Sequence, residues 1–221
     1  MQNPWLNMVK ETPYILKEDE KNFYQIQNLK NNVNLNLLPE PYVGDLNAPI
    51  YLLTYRGSIH IDDFNWHKDL TFKDLYYKSI EQKQLDKPFI YFDEALSETP
   101  AAAWWHSKLY KLIENSSLDK VAKNICSVQF LPYHSSKQPS LTLLRKERTL
   151  PSQFYGKYLV EEAMKRDALI VVMSGPWLEF VPQLRAKKNV TEVLSRNNPV
   201  ISTNNLENPK LFDKMVALLK D

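Results

Sequence analysis

The stretch IYLLTYRGS, residues 50–58, decides the fold class of this chain. It is a short apolar run that ends abruptly at a polar turn. Such a run is typical of a strand that is buried on both faces of a parallel sheet. Three more runs of this kind follow, over residues 125–130, 168–173 and 190–195. The chain is therefore predicted to contain four buried strands.

Helical patterns separate these strands. We predict helices over residues 71–84, from Pro100, from a cap near Ser152 to about residue 166, and from Pro176. Strands that alternate with helices predict an α/β fold, namely a three-layer α/β/α sandwich with a short four-stranded parallel sheet. Ligands of such sheets bind beyond the carboxyl ends of the strands, so the residues that follow each strand are the candidate site.

The rest of the chain is assigned to the same domain, predicted to span residues 1–221. Residues 1–37 are interpreted as an N-terminal helix or arm, and residues 38–45 as a rigid extended entry to the first strand, because prolines hold the preceding residues out of the α region. Residues 88–100 are interpreted as a surface excursion. No internal repeat and no Gly/Ser-rich linker divides the sequence.

Composition excludes several classes of protein. With only 4 Gly there is no glycine-rich phosphate loop. A lone cysteine, Cys126, cannot build a disulfide framework or an iron–sulfur cluster, so no cofactor is expected. No apolar run is long enough to span a membrane and no targeting segment is visible, so a cytoplasmic location is expected. Nothing in the sequence indicates the oligomeric state.

Charge is distributed unevenly along the chain. Residues 1–110 carry 11 basic and 15 acidic side chains, and residues 111–221 carry 17 and 11. The basic half could face nucleic acid, but an ordinary solvated surface is the favoured interpretation of such an asymmetry. Arg145, Lys146 and Arg148 follow the second strand and are candidates for phosphate contacts, with a solvated loop as the alternative.

At its strand ends the sequence resembles the uracil-DNA glycosylase superfamily over roughly residues 38–220. The segment Thr54-Tyr55-Arg56-Gly57-Ser58, with a Pro-Tyr-x-Gly entry before it, is similar to the family's first motif. The segment Asn198-Pro199-Val200-Ile201-Ser202-Thr203 is similar to its last motif, in the Asn-Pro form of the mismatch-specific branch. The resemblance implies an α/β/α sandwich and a pocket that binds a nucleobase, either in DNA or in a nucleobase-containing ligand.

The resemblance also implies site residues, and one departure bears on catalysis. Arg56 stands where the family has an Asp or Asn that positions or activates water, and a permanently protonated guanidinium cannot act as a base. Asp62 or Asp63 is the candidate substitute for that group. Asn198, next to Pro199, is expected to donate a hydrogen bond to a base carbonyl or to a leaving anion.

The densest polar cluster, residues 133–137, follows the second strand. Tyr133 is predicted to stack on a base and His134 to transfer a proton, with Ser135 beside them. Ser136 and Lys137 are predicted to hold a phosphate. The alternative is a turn whose hydroxyls cap a following helix. We expect Arg56, Tyr133 and Asn198 to line one cavity, because each follows a parallel strand.

Other motifs have structural alternatives. Ser174 has a weak likeness to a nucleophile elbow and is a candidate for substrate contact, whereas Ser174-Gly175 as a helix N-cap is the alternative. The spacing of His60, Asp62, Asp63 and His67 matches no recognised closed metal site, so no metal is expected. The pair Trp104-Trp105 is either a stacking platform or in part core.

Three function hypotheses follow from these residues. The first is a uracil-DNA glycosylase-like protein that recognises a nucleobase or nucleic acid and, if it is an enzyme, flips the base and hydrolyses its N-glycosidic bond. The second is a non-catalytic binding protein that retains the fold and has lost the water-activating residue. The third is a small-molecule hydrolase that uses His134 or Ser174.

Overall fold

The structure is a computed structural model that describes residues 1–137 and 149–220. Over these residues it has one five-stranded sheet with the order β1-β3-β2-β4-β5. The strands are β1 (Tyr42–Gly44), β2 (Ile50–Thr54), β3 (Ile125–Gln129), β4 (Leu169–Val172) and β5 (Val190–Glu192). The α/β class is confirmed, and a described strand lies within each of the four predicted ranges.

The prediction of a four-stranded, all-parallel sheet is wrong by one strand. Strands β3, β2, β4 and β5 are parallel neighbours, but β1 pairs antiparallel with β3. The segment that we interpreted as an extended entry contains β1, and its backbone forms hydrogen bonds with the outer edge of β3. Gly44 permits this close approach, because its φ of 112° lies in the left-handed region and a Cβ there would collide with the Ile125 carbonyl oxygen.

Nine helices occur in the described residues: α1 (Lys17–Gln25), α2 (Gln27–Asn32), α3 (Asp63–Trp66), α4 (Leu70–Ile80), α5 (Pro100–Asn115), α6 (Leu118–Asn124), α7 (Pro151–Lys165), α8 (Pro176–Phe180) and α9 (Lys210–Lys220). A proline opens α5, α7 and α8, where its missing N–H has no intrahelical partner to lose. The Thr99 side chain caps α5 by accepting a hydrogen bond from the Ala102 N–H.

The core lies on both faces of the sheet. Every residue of β2, β3 and β4 is buried. The buried hydrophobic side chains form one cluster that extends from Trp5 to Leu219. Among the described residues, no helix is long and apolar enough to cross a membrane.

Residues 88–100 do not form the predicted surface excursion. The segment makes two short 3-10 turns, Ile90–Phe92 and Glu94–Leu96, and buries its aromatic residues. Phe89 packs edge-on against Trp105 of α5, with ring centroids 5.0 Å apart. The sequence lacks helical or strand periodicity here because consecutive side chains pack against several different elements.

The N-terminal arm packs into the core. Trp5 and Phe23 are buried, and so is the carboxyl group of Asp19. Asp19 Oδ2 accepts a hydrogen bond from the Tyr133 hydroxyl at 2.7 Å, and its Oδ1 accepts one from the Ser152 N–H at 2.9 Å. Asp19 therefore accepts a hydrogen bond at the start of α7 from a distant part of the sequence, and the N-cap residue of this helix is Leu150, close to the predicted cap near Ser152.

Candidate ligand-binding site

A cavity of about 490 Å³ lies at the carboxyl ends of β2 and β3. Small-molecule sites commonly have volumes of about 300–1,000 Å³, so it is large enough for a ligand with one or two rings. It is lined by residues 54–60 after β2, by α3 and the start of α5, and by Gln129 at the end of β3. The site therefore forms at the sheet edge where a parallel sheet places its ligands.

Six aromatic residues contribute to the cavity wall. Trp104 stands at the rim with 39% of its surface exposed, whereas Trp105 beside it is buried. Their rings meet edge-on with centroids 4.7 Å apart. The aromatic residues that line the cavity are Tyr55, Trp66, Phe72, Tyr91, Trp104 and Trp105. Flat apolar walls of this kind suit a planar ring.

The floor of the cavity is an extended segment, residues 38–41. This segment precedes β1 in the sequence and lies between β3 and α3 in space. The Leu38 N–H donates to His67 Nδ1 at 2.8 Å, and the Pro39 carbonyl accepts from the Tyr76 hydroxyl at 2.8 Å. The Pro41 carbonyl accepts from the Gln129 N–H at 3.0 Å. These bonds hold the backbone of Glu40, so that its side chain has a defined place at the floor.

The Glu40 carboxylate is hydrogen-bonded on both oxygens. One oxygen accepts from the Tyr91 hydroxyl and the other from the Gln129 side-chain amide. Burial raises the pKa of Glu40, and the neighbouring His134 imidazole and the Tyr91 hydroxyl oppose that rise. Burial also raises the pKa of Tyr91 well above its usual range, so its hydroxyl remains a donor.

Two buried polar atoms of the lining have no hydrogen-bond partner within the described part of the chain. They are Gln129 Oε1 and His134 Nε2. His134 Nδ1 lies 3.0 Å from the Ser58 carbonyl oxygen, which places the ring N–H on Nδ1 and leaves Nε2 as an acceptor in the neutral ring. Buried polar atoms are costly when unpaired, so a ligand N–H that reached either atom would gain a full hydrogen bond.

The remaining histidine of the floor is held in its neutral form. His67 Nδ1 accepts the Leu38 N–H, and burial lowers the pKa of His67 well below its usual range. Its ring meets that of His134 edge-on with centroids 5.1 Å apart. A protonated His67 would be both desolvated and close to a second imidazole, which is why the neutral form is favoured.

Arg56 connects two loops beside the cavity through hydrogen bonds to their backbone. Its Nη1 donates to the Ser135 carbonyl at 2.6 Å and to the Gly57 carbonyl at 3.0 Å. Burial lowers the pKa of Arg56, which stays a cation in proteins. The guanidinium thus joins the turn after β2 to the loop after β3, and nothing in its contacts resembles the positioning of a water molecule.

The structure brings one group of predicted residues together in the lining: Thr54, Tyr55, Arg56, Gly57, Ser58, Asp63 and His134. Asp63 Oδ2 accepts a hydrogen bond from the His60 N–H at 2.6 Å. All of these except His134 come from the last residue of β2, from the turn after it and from α3, which begins nine residues after the end of that strand. Short sequence distance from the strand end is what keeps them at the site.

Tyr133 is placed in the core and not in the cavity. Its ring lies edge-on to Trp5 and Phe23, with centroids 5.8 and 6.1 Å away. Its hydroxyl donates to Asp19 and accepts the Leu16 N–H at 3.2 Å. The predicted base-stacking role of Tyr133 therefore does not fit its position, because the N-terminal arm covers the ring.

The hydroxyls after Tyr133 bond to the backbone and do not form a phosphate cradle. Ser135 Oγ donates to the Lys137 carbonyl at 2.8 Å, and Ser136 Oγ to the Asn32 carbonyl at 3.3 Å. Ser135 also forms an antiparallel bridge with Val33. The segment is therefore a turn that pairs with the N-terminal arm, close to the structural alternative considered from sequence.

Asn198 and Pro199 do not line the cavity. Asn198 is exposed and its Oδ1 accepts a hydrogen bond from Lys108 Nζ at 2.9 Å, whereas Pro199 is buried. Lys108 Nζ also lies 5.6 Å from the centroid of the Trp104 ring. The last motif thus stands beside α5, next to the rim. Of Arg56, Tyr133 and Asn198, only Arg56 reaches the cavity, so the predicted convergence is wrong.

Two other predicted sites lie away from the cavity, and a third lies outside the described residues. Asp62 is exposed outside the lining and pairs with His60 at 3.3 Å. Ser174 follows β4 away from the cavity, and the N-cap of α8 is Gly175. The predicted phosphate contacts Arg145, Lys146 and Arg148 lie outside the described residues.

In comparisons with known proteins, no family model, characterised protein or solved structure matches the chain. The site is therefore interpreted from its own residues.

Sequence reasoning missed three polar residues of the floor, Glu40, Tyr91 and Gln129. Glu40 had a usable signal, since a carboxylate between two prolines in the apolar stretch 37–43 is an unusual place for a solvated charge. Tyr91 stands in an apolar run, and Gln129 is the one amide at a buried strand end. Neither residue carries a local pattern that distinguishes a site from core packing.

Proposed function

We propose that this protein binds a nucleobase in the cavity at the carboxyl ends of β2 and β3. The observation that carries the proposal is the combination of aromatic walls with two buried, unpartnered acceptors, Gln129 Oε1 and His134 Nε2. A nucleobase has a flat face for the walls and N–H groups at its edge for these acceptors. An aliphatic ligand would use neither feature fully.

The resemblance to the uracil-DNA glycosylase superfamily supports the same function. Four parallel strands occur in the predicted order, and the turn that is similar to the first motif lines the cavity. A single uracil-DNA glycosylase-like domain, an α/β/α sandwich around these four strands, is therefore part of the proposal. The nucleobase comes either from a nucleic acid strand or from a free nucleoside.

Binding without hydrolysis is the form of the function that the geometry favours. Arg56 bonds to backbone carbonyls, and both Glu40 oxygens accept bonds from neighbouring side chains. Hydrolysis of an N-glycosidic bond is the second candidate, and one observation favours it. The Glu40 carboxyl lines the cavity and its pKa is raised by burial, as in many general acids and bases.

Trp104→Ala is expected to weaken nucleoside binding by about tenfold, because base–aromatic stacking contributes about 1–3 kcal/mol per base. The measurement is isothermal titration calorimetry with a set of free nucleosides. Tyr110→Ala is the matched control, since Tyr110 is an aromatic residue of the same helix with similar exposure and lies outside the lining. Equal losses in the two variants would contradict a stacking role for Trp104.

The source of the base is tested with single-stranded DNA at several salt concentrations. Phosphate contacts release counterions, so an affinity for the strand that falls steeply with salt would assign nucleic acid as the source. A salt-independent affinity that equals that of the nucleoside would assign a free ligand.

Uracil excision from DNA is expected to be absent, because Arg56 cannot replace a carboxylate or amide in orienting water. An alkaline strand-scission assay on single and double strands that contain uracil measures it. Cleavage that survives Arg56→Ala and is lost in Glu40→Gln would contradict binding without hydrolysis and assign the chemistry to Glu40.

A further inference from the structure

Two buried carboxylates line the cavity, and no ion pair with either of them occurs in the described part of the chain. Glu40 and Asp63 are 7% and 8% exposed, and both line the cavity. Among the described residues, neither carboxylate is in an ion pair with a Lys, Arg or His side chain. Buried charges in proteins are ordinarily paired, because desolvation of an isolated charge is expensive.

The two carboxylates line the same cavity. Asp63 adds to the rise in the pKa of Glu40 that burial causes. Two like charges in one apolar cavity disfavour each other, and a positive charge placed between or beside them would relieve both the repulsion and the desolvation.

The cationic groups of the lining are directed elsewhere. Arg56 donates from Nη1 to the Gly57 and Ser135 carbonyls. His67 is neutral because burial lowers its pKa well below the usual range. His134 places Nδ1 on the Ser58 carbonyl oxygen. Nη1 of Arg56 and Nδ1 of His134 are thus engaged by backbone oxygens, and no salt bridge reaches either carboxylate within the described residues.

The walls favour a cation as well. Trp is the best side chain for cation–π contacts, and three tryptophans, Trp66, Trp104 and Trp105, line the cavity. The Lys108 ammonium, which lies outside the lining, makes a cation–π contact with one of these rings, 5.6 Å from the Trp104 ring centroid. Aromatic walls and unpaired carboxylates together form a site for a flat, positively charged group.

We infer that the cavity prefers a positively charged nucleobase, one that is alkylated at a ring nitrogen, over a neutral base. This inference rests on the proposed nucleobase binding and names the class of base. A ring cation stacks on the aromatic walls as a neutral base does, and it supplies in addition a positive charge for Glu40 and Asp63, which form no ion pair within the described residues.

The test compares two ligands of the same shape that differ in charge. The probes are 7-methylguanosine, whose imidazolium ring is cationic, and 7-deaza-7-methylguanosine, its neutral analogue, titrated calorimetrically just below neutral pH. The cation is expected to bind the full-length protein at least about tenfold more tightly, the effect of a desolvated cation–π contact.

Charge-removing variants connect that preference to the two carboxylates. Glu40→Gln and Asp63→Asn are each expected to reduce severalfold the ratio of the affinity for the cation to the affinity for the neutral analogue, and this ratio is the readout because either variant can change both affinities together. Asp62→Asn is the matched control, because Asp62 is the neighbouring acid that is exposed outside the lining. Two variants at separate positions keep the test decisive if one of them does not fold.

The outcomes separate the inference from the function on which it rests. Equal affinities for the two probes, or a preference that Glu40→Gln and Asp63→Asn both leave intact, would overturn the inference while nucleobase binding stands. Failure of every nucleoside and of single-stranded DNA to bind would overturn the proposed function itself.

Discussion

Gly57→Ala is expected to weaken nucleobase binding by about 100-fold, or about 3 kcal/mol, through its effect on His134. A Cβ at position 57 would lie 2.5 Å from His134 Nδ1 and 2.6 Å from Cε1, closer than atoms can approach. The imidazole is buried between the Ser58 carbonyl and His67, so it can move only by losing its hydrogen bond and entering the cavity. Overpacking of this kind is costly in a close-packed interior.

Calorimetric titration of the variant with nucleosides measures this loss. Gly175→Ala is the control, because the atoms nearest to a Cβ there belong to the Arg196 guanidinium, the end of an exposed and flexible side chain. Gly175 does not line the cavity, so its variant should bind normally. If Gly57→Ala folds and binds with unchanged affinity, His134 does not form part of the binding site.

Asp19→Ala is expected to lower the free energy of unfolding by about 3 kcal/mol, since each buried group left unpaired costs about 1–3 kcal/mol. The variant would leave the Tyr133 hydroxyl and the Ser152 N–H at the start of α7 without their acceptor. Urea unfolding followed by circular dichroism measures the change. Glu18→Ala, which removes the exposed neighbouring acid, is expected to have little effect.

The loss in Asp19→Ala should also depend on pH. Burial raises the pKa of Asp19, so the folded state binds its proton more tightly than the unfolded chain does. The stability that this group contributes is fully present below its unfolded pKa of about 3.9 and is lost as the pH rises through the folded value. The difference in stability between wild type and Asp19→Ala is therefore expected to be larger at mildly acidic pH than at pH values above neutral. A difference that grows with pH would contradict a raised pKa.

Local patterns were sufficient for the four parallel strands of the sheet. The apolar run at residues 50–55 becomes β2, and the run at 125–130 becomes β3, each within one residue of its predicted end. A strand that is buried on both faces needs a continuous apolar stretch, and that stretch is contiguous in sequence. The edge strand β1 was missed because it is three residues long and its sequence, with two prolines before it, has no strand period.

Only the part of the candidate site that directly follows a strand could be predicted from the sequence. Residues 54–58 line the cavity because they leave β2 at its carboxyl end. Tyr133 stands four residues after β3, and by that point the direction of the chain is set by contacts with the N-terminal arm, where Asn34 N–H donates to the His134 carbonyl. Asn198 stands six residues after β5 and is held by Lys108 of α5.

The amino-acid sequence by itself determined the α/β class, the order of the four parallel strands along the chain and the sheet edge that carries the site. These follow from burial and periodicity, which are properties of neighbouring residues. Only the tertiary structure decided which polar groups meet there. Glu40, Tyr91 and Gln129 are separated by 51 and 38 positions in the chain, and their hydrogen bonds form because a buried carboxylate must find its donors wherever packing brings them.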